Sequence, residues 1–173
     1  MPEKKTIRRA RRAKRAGKSP GTQAGEFVHD EIKKIRKGKH GARSAKQAIA
    51  IGLSEARRAG VNLKPPKKGT VSEKTRKSAE SAYEKGQKHE PISKTRSRAR
   101  VKALKREPTS TVSRRALSKQ ASTAARKRSA SARSASAKKA ASTKGPRVRS
   151  AAAKKAARTR KRRSSYQHYA HTT

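Results

Sequence analysis

The chain has no cysteine and no tryptophan, and only one phenylalanine and three tyrosines among its 173 residues. Without cysteine it can form neither a disulfide nor a thiolate metal site. Leu, Ile, Val and Phe together number 17, about a tenth of the chain. That share lies below the roughly one fifth at which a highly charged chain is expected to be disordered. We therefore expect a mostly disordered protein with α-helical segments and no β-sheet, because so little apolar surface cannot offset the entropy of ordering.

Long apolar runs are also missing. The longest, Ala48 to Leu53, is far short of the ~20 residues that span a bilayer. The Arg8-Arg9 pair is not followed by an apolar segment, so it does not indicate a secretion signal. Binding to a membrane surface needs a Trp, Phe or Leu face beside the basic one, and the composition does not provide it. We expect a cytoplasmic protein without a membrane partner.

What the sequence does have is positive charge: 52 Lys and Arg against 10 Asp and Glu, a net charge of +42. Repulsion at this charge opposes compaction of the free chain, and a polyphosphate removes the repulsion while releasing its own counterions. Paired carboxylates in an apolar setting, a nucleophile beside a base and a phosphate-binding Gly-rich loop are all missing from the sequence. The composition thus predicts a nucleic-acid-binding protein that is not an enzyme and uses no cofactor.

Acidic residues divide the chain more clearly than hydrophobicity does. The last acid is Glu107, and residues 111–173 carry 19 cations and no acid. We predict five segments: a basic disordered arm (1–18), a helical hairpin (19–63), a Pro/Lys/Gly linker (64–71), a polar and partly helical segment (72–108), and an Ala/Ser/Lys/Arg-rich disordered tail (109–173).

The hairpin, over residues 22–60, carries the best structural signals. Val28, Ile32 and Ile35 recur at helical spacing, and Gly38 is placed to end that helix. Ser44 is a good N-cap for a second helix, with a glutamine three residues later as in a capping box, and Gly60 follows the helix. Two short helices are marginal alone, so we expect a homodimer or another partner to complete the hairpin.

Further along, Ser72 to Gly86 and Ser93 to Arg106 have the composition of polar helices, the second ended by Pro108. In the tail, alanine, lysine and arginine favour helix, but repulsion between like charges opposes it. We therefore expect the tail to be coil when free and partly helical when phosphates neutralise it, with a break at Lys144-Gly145-Pro146.

Residues 25–61, GEFVHDEIKKIRKGKHGARSAKQAIAIGLSEARRAGV, resemble a family of small basic bacterial proteins of unknown function. The mark of that family is a KQAIAIGLS-type helix, here Lys46 to Ser54, after a short Gly and basic loop. The stretches SAYEKGQKHEPIS and RALSKQA are also similar to longer members. The resemblance implies a bacterial, cytoplasmic, nucleic-acid-associated protein without an assigned activity.

The tail, above all SAAAKKAARTRKRR from Ser150 to Arg163, resembles the C-terminal tails of linker histones and of bacterial histone-like proteins. Such tails compact DNA by neutralising it. Arginine is more frequent here than in the usual lysine-dominated tail, which leaves RNA open as the partner.

Three local patterns have competing interpretations. Gly38-Lys39-His40-Gly41 resembles the GxxG loop with which KH domains clamp a nucleic-acid backbone, but it equally fits a helix-ending glycine followed by a turn glycine. The hairpin fits a helix-turn-helix that reads bases with Arg43, Lys46 and Gln47, although no third apolar helix is evident. His168 and His171, beside Tyr166 and Tyr169, have no nearby acid or cysteine, so we predict no metal site.

The leading hypothesis is a histone-like, nucleoid-associated protein that binds DNA without sequence specificity through its phosphates. The alternatives are an RNA-binding or ribosome-associated factor, and a protein-interaction hairpin whose basic arms only localise it. The predicted nucleic-acid contacts are cations of the arm, the hairpin and the tail: Arg8, Arg9, Arg11, Arg12, Lys39, Arg43, Lys46, Arg57, Arg58, Lys138, Lys139, Lys154, Lys155, Arg158, Arg160, Lys161, Arg162 and Arg163.

Overall fold

The structure, a computed structural model, describes residues 3–169, and within that range it describes side chains for residues 3–143 and 145–161. Over this range the chain is helical and contains no strand. The helices are α1 (Lys4–Arg15), α2 (Pro20–Arg36), α3 (Ala45–Arg58), α4 (Glu73–Gln87), α5 (Lys94–Leu104), a 3-10 turn (Ser110–Val112), α6 (Arg114–Arg126) and α7 (Ala130–Tyr169). The expectation of helix without sheet is confirmed, whereas the expectation of a mostly disordered chain is wrong.

The α2–α3 hairpin is present, and its ends are fixed by the signals that the sequence carries. The Ser44 hydroxyl accepts a hydrogen bond from the Gln47 amide (3.2 Å), as an N-cap should. Gly38 and Gly60 follow the two helices with positive φ of 71° and 82°, a backbone conformation that favours glycine. The hairpin begins two residues earlier than expected because Pro20 takes the first turn of α2.

The core of the first compact unit, which ends at Ala121, is small and rich in alanine. One cluster joins Phe27 of α2 to Ala10 of α1 and Ala56 of α3, and a second joins Ile35 of α2 to Val112 of the 3-10 turn. Full burial of a side chain such as Phe or Ile contributes about 1.5–3 kcal/mol. Since few large side chains are available, these helices pack at short range through alanine and glycine.

Glycines set the closest approaches between these elements. A Cβ on Gly86 of α4 would overlap the carbonyl of Arg57 in α3, and one on Gly41 would overlap the carbonyl of Glu107. The Gly41 and Ala42 amides donate to the carbonyls of Leu104 and Pro108, at 2.9 and 3.0 Å. The loop after α2 is thereby joined to the chain after α5, which no local pattern in the sequence predicts.

The predicted disordered arm, residues 1–18, is instead largely helix α1. It packs on α2 through Thr6 and Ala10, which are buried, with Ile7 packed beside them. An ion pair from Arg9 Nε to Glu26 Oε2 (2.8 Å) joins the two helices. Arm residues therefore contribute to the hairpin core from within the chain, while the homodimer stays a prediction.

The predicted disordered tail, residues 109–173, is also largely helical in the part that the structure describes. Ser113 and Ser129 cap α6 and α7, accepting from the amides of Ala116 and Ala132 at 3.2 Å each. Alanine, lysine and arginine then continue the helices, so propensity and capping outweigh charge repulsion here. Val112, three residues inside the predicted tail, is fully buried in the core.

The second compact unit begins at Ser122 and consists mainly of α7. Helical geometry is interrupted at Gly145 (φ 65°, ψ 164°), just before Pro146, which is the break that the sequence predicts. No residue of α7 whose side chain is described is buried. Among the helices described, none combines the length and the apolar character needed to cross a membrane.

Candidate nucleic-acid interface

Acidic side chains of the first unit are largely occupied by ion pairs inside it. Lys34 Nζ lies 2.9 Å from Asp30 Oδ2 and 3.8 Å from Glu55 Oε2, and Arg76 bridges Glu73 and Glu80 of α4 at 2.7 and 3.2 Å. These acids pair with cations of their own unit. The charge that remains exposed on the molecule is therefore overwhelmingly positive.

Helix α1 presents one such surface. Opposite its buried Thr6 and Ala10, it exposes Arg8, Arg11 and Arg12, together with the basic residues on either side of them. Arg9 differs from these three because its ion pair with Glu26 leaves it only about one third exposed. Three of the four predicted contacts in the arm are thus displayed on one rigid helix rather than on a disordered segment.

The loop Gly38-Lys39-His40-Gly41 ends α2 and packs on the chain after α5. The Gly38 amide donates to Ile35 O and the Lys39 amide to Lys34 O, while the Gly41 amide donates to Leu104 O. These three amides are satisfied within the chain, which favours the interpretation as a helix end and turn over a GxxG phosphate clamp. The Lys39 ammonium itself is exposed, 3.6 Å from Glu3 Oε1.

The start of α3, where a recognition helix would read bases, is arranged as a helix cap. Gln47 Oε1 accepts a hydrogen bond from the Arg43 amide (2.6 Å), one residue before the Ser44 cap, so the side chain bonds back as in a capping box but to the neighbouring amide. Arg43 is highly exposed, 3.5 Å from Glu107, and Lys46 is exposed. The cations are accessible to phosphate, but Gln47 is engaged in the fold.

At the end of α3 the two predicted arginines have different environments. Arg57 is buried, and its guanidinium donates to the carbonyls of Leu63 and Lys64 at 3.1 and 3.5 Å. Burial lowers the pKa of Arg57 from its ordinary value. Arg58 is half-buried and donates to the carbonyls of Glu90 and Pro91. The structure thus gives Arg57 a role in holding residues 63 and 64 against α3, and its phosphate contact stays a prediction.

The tail cations lie on α7, downstream of every acid in the chain. The exposed side chains among the predicted contacts are Lys138, Lys139, Lys154, Lys155, Arg158, Arg160 and Lys161. The side chains of Arg162 and Arg163 lie outside the described residues, as do those of Tyr166, His168, Tyr169 and His171. Because these cations are distributed all round the helix, α7 offers phosphate contacts on every side.

Sequence reasoning missed the cations of α5. By composition Arg96, Arg98 and Arg100 belong to a polar stretch, but they lie on a helix that buries only Leu104. The signal available was the serine N-cap, whose hydroxyl accepts from the Arg96 amide at 3.4 Å, together with the alternation of arginine over five residues.

A buried charged cluster lies between α2 and α3. Glu31 is almost fully buried, and one of its carboxylate oxygens lies 3.5 Å from His40 Nε2. The pKa of Glu31 is raised, mainly because the carboxyl is buried. The charge of His40 lowers this pKa, and the charge of Glu55 raises it further. Burial also lowers the pKa of Lys34, but the hydrogen bond with Asp30 and the charge of Glu55 more than compensate and raise it overall. In the part of the chain that the structure describes, no group of three or more His, Asp or Glu side chains is arranged to hold a metal ion.

One region of the chain is similar to a known protein family. It contains the C-terminal end of α1, the hairpin and the basic loop between the hairpin helices. Residues 11–68 match a family of unknown function (DUF6496). The match covers about a third of the chain, including α2, α3 and the first part of the linker, and leaves out α4 to α7. No curated protein and no solved structure shows significant similarity to the chain. The resemblance to an uncharacterised family thus holds for the hairpin region, and it assigns no activity.

Proposed function

We propose that this protein binds nucleic acid, preferentially duplex DNA, by neutralising its phosphates without reading sequence. The observation that carries the proposal is the separation of charge along the fold. The acids lie in the first unit and largely pair with its own cations, whereas α7 exposes lysine and arginine in a stretch without any acid. A helix of this kind has no internal counter-charge, so a polyanion is its natural partner.

Association is driven by counterion release. Each phosphate neutralised by a side chain frees condensed cations from the DNA, and this gain does not depend on the bases. In the proposed complex α7 and the exposed face of α1 contact phosphates, while the hairpin core holds α1 rigid. The likeness of residues 150–163 to linker-histone tails supports a role in compacting DNA in a bacterial nucleoid. The protein acts as a binding protein and not as an enzyme.

The affinity for a short DNA duplex, measured against salt concentration, tests the proposal. Neutralisation of about 6–10 phosphates predicts a loss of roughly 10³–10⁵ in affinity between about 50 and 200 mM salt. Replacing Lys138, Lys139, Lys154 and Lys155 with glutamine should lower both the affinity and the salt slope. Arginine at the same four positions keeps the charge and is the matched control. An affinity that does not respond to salt contradicts the mechanism.

RNA is the second candidate, and the arginine content of the tail favours it. Residues 109–173 contain 11 Arg and 8 Lys, and arginine binds phosphate in a planar, bidentate manner that suits folded RNA. Competition between duplex DNA and ribosomal RNA at one salt concentration separates the two functions. The protein-interaction hairpin has less support, because α1, α4 and Val112 pack against α2 and α3 from within the chain.

A further inference from the structure

Helix α5 turns an unusual face toward the rest of the first unit. Ser93, Arg96, Ser97, Arg100, Val101 and Leu104 follow the spacing of one helical face, and all of them line a cavity of about 600 Å³ bounded also by α3 and α4. Positions with this spacing are normally apolar where a helix packs on a core. Here only Leu104 is buried, and two arginines occupy the middle of the face.

The opposite wall of the cavity is also rich in hydrogen-bond donors. Helix α4 contributes Ser78, Ser81 and Lys85, and the end of α3 contributes Arg58. Arg58 is fixed in place by the carbonyls of Glu90 and Pro91, at 3.4 and 3.3 Å. Cations and hydroxyl groups thus face each other across the opening.

Three acids line the same cavity. Glu55 pairs with Lys34, and Glu31 faces His40 at the buried end. The third, Glu90, lies within 4.0 Å of no Lys, Arg or His nitrogen of the described residues. Lys85, Arg96 and Arg100 take part in no ion pair within the described part of the chain. Glu90 can offset at most one of these three positive charges, so the opening keeps an excess of positive charge.

We propose that this α3–α4–α5 cleft binds a phosphate group, held between Lys85 on one side and Arg96 and Arg100 on the other, with serine hydroxyls as further donors. Arginine and serine are suited to this ligand because charge-assisted and bidentate hydrogen bonds to phosphate are strong. A volume near 600 Å³ lies within the range of small-ligand sites, so the cleft admits one nucleotide-sized group and excludes a duplex cross-section. The phosphate comes from a nucleic-acid backbone or from a free nucleotide; the first source rests on the proposed function, and the second does not.

The test uses the full chain with two probes, a short DNA duplex and adenosine triphosphate. The readouts are the side-chain N–H resonances of arginine and the hydrogen exchange of the α5 amides. The resonances of Arg96 and Arg100 should shift with at least one probe while that of Arg98 stays in place, and exchange across α5 should slow by about tenfold as the helix is held in place. A response to DNA alone identifies the backbone as the source, and a response to the nucleotide alone identifies a free ligand.

A matched pair of variants sharpens the result. R96Q/R100Q removes two cleft cations, and R98Q/K102Q removes two from the same helix at positions that do not line the cavity. The first pair should weaken binding of the responding probe on the order of tenfold or more, and the second by less than about twofold. Equal losses, or an unshifted Arg96 and Arg100 with both probes, overturn the cleft while leaving DNA binding intact. Failure of the wild type to bind DNA overturns the proposed function instead. The response of Arg96 and Arg100 to adenosine triphosphate then shows by itself whether the cleft binds phosphate.

Discussion

Gly52 of α3 lies so close to Val28 of α2 that a Cβ added at Gly52 would be 2.6 Å from the Val28 Cα. This contact sets the separation of the hairpin helices, whose Phe27 and Ala56 belong to one buried cluster.

We expect Gly52→Ala to destabilise the protein by about 1–3 kcal/mol, since the backbone of α2 must move to admit the methyl group. Gly25→Ala is the matched control, because a Cβ there meets nothing within 4 Å. That change should be neutral or stabilise by up to about 1 kcal/mol, as alanine is the better helix former. Thermal unfolding of the two variants checks the difference, and equal melting temperatures would mean that the helices are not in this contact.

Arg57→Gln should lower stability by about 1–3 kcal/mol, because the carbonyls of Leu63 and Lys64 lose their donor in a buried site. The salt slope of DNA binding should not change, since Arg57 does not face solvent. Lys46→Gln, at an exposed position of the same helix, should leave stability within about 0.5 kcal/mol of the wild type. Denaturant unfolding and a salt titration together test this role; a reduced salt slope for Arg57→Gln would indicate that Arg57 contacts phosphate.

The pH dependence of stability should carry a contribution from Glu31. Burial raises the pKa of this carboxyl in the folded state, so folding favours its protonated form. The contribution is therefore fully present below the ordinary pKa of glutamate, which is 4.5, and is lost as pH rises through the higher pKa of the folded state. Glu31→Gln should flatten the stability profile over that window, because the amide cannot ionise. Chemical denaturation at several pH values between these limits measures it, and a slope of the opposite sign for the wild type would contradict the burial of Glu31.

Amides of α7 should exchange far faster than those of α2 and α3. No described side chain of α7 is buried, so its helicity depends on propensity and on the Ser129 cap. Saturating duplex DNA should slow their exchange by about tenfold or more, because phosphates remove the repulsion between its cations. Hydrogen exchange followed by mass spectrometry separates α7 from the first unit. Exchange in α7 that DNA leaves unchanged would indicate that the helix is not the contact surface.

The hairpin was predictable because its signals are local: Val28, Ile32 and Ile35 share a helix face, and Ser44 and Gly60 mark the ends of α3. Helix α1 was not predictable from the sequence. Its buried face consists of Thr6 and Ala10, and these two residues form no apolar pattern among so many cations. Val112 also lacked a pattern, since it enters the core as one valine from a short turn distant in sequence.

The sequence predicts which cations are candidates for the interface, but it predicts less well which of them are exposed together on one surface. Composition alone indicates that the tail cations are exposed, because they outnumber any acid that could pair with them. It does not separate Arg57, which holds the linker, from Arg58 beside it, nor Arg96 from Arg98 on α5. Those distinctions depend on which carbonyls and which cavity the tertiary fold brings near each side chain.

The interruption at Gly145 divides α7 into two rods. Before it, residues 130–144 extend about 22 Å, and after it residues 146–169 extend about 36 Å, at 1.5 Å per residue. Along a duplex with 3.4 Å per base pair these lengths correspond to roughly six and ten pairs, so neither rod is longer than about one helical pitch. In the proposed DNA complex, a single straight helix of the combined length would diverge from the phosphate backbone, which winds around the duplex. Two shorter helices separated at Gly145 can each take a different direction and stay close to the phosphates along their own length.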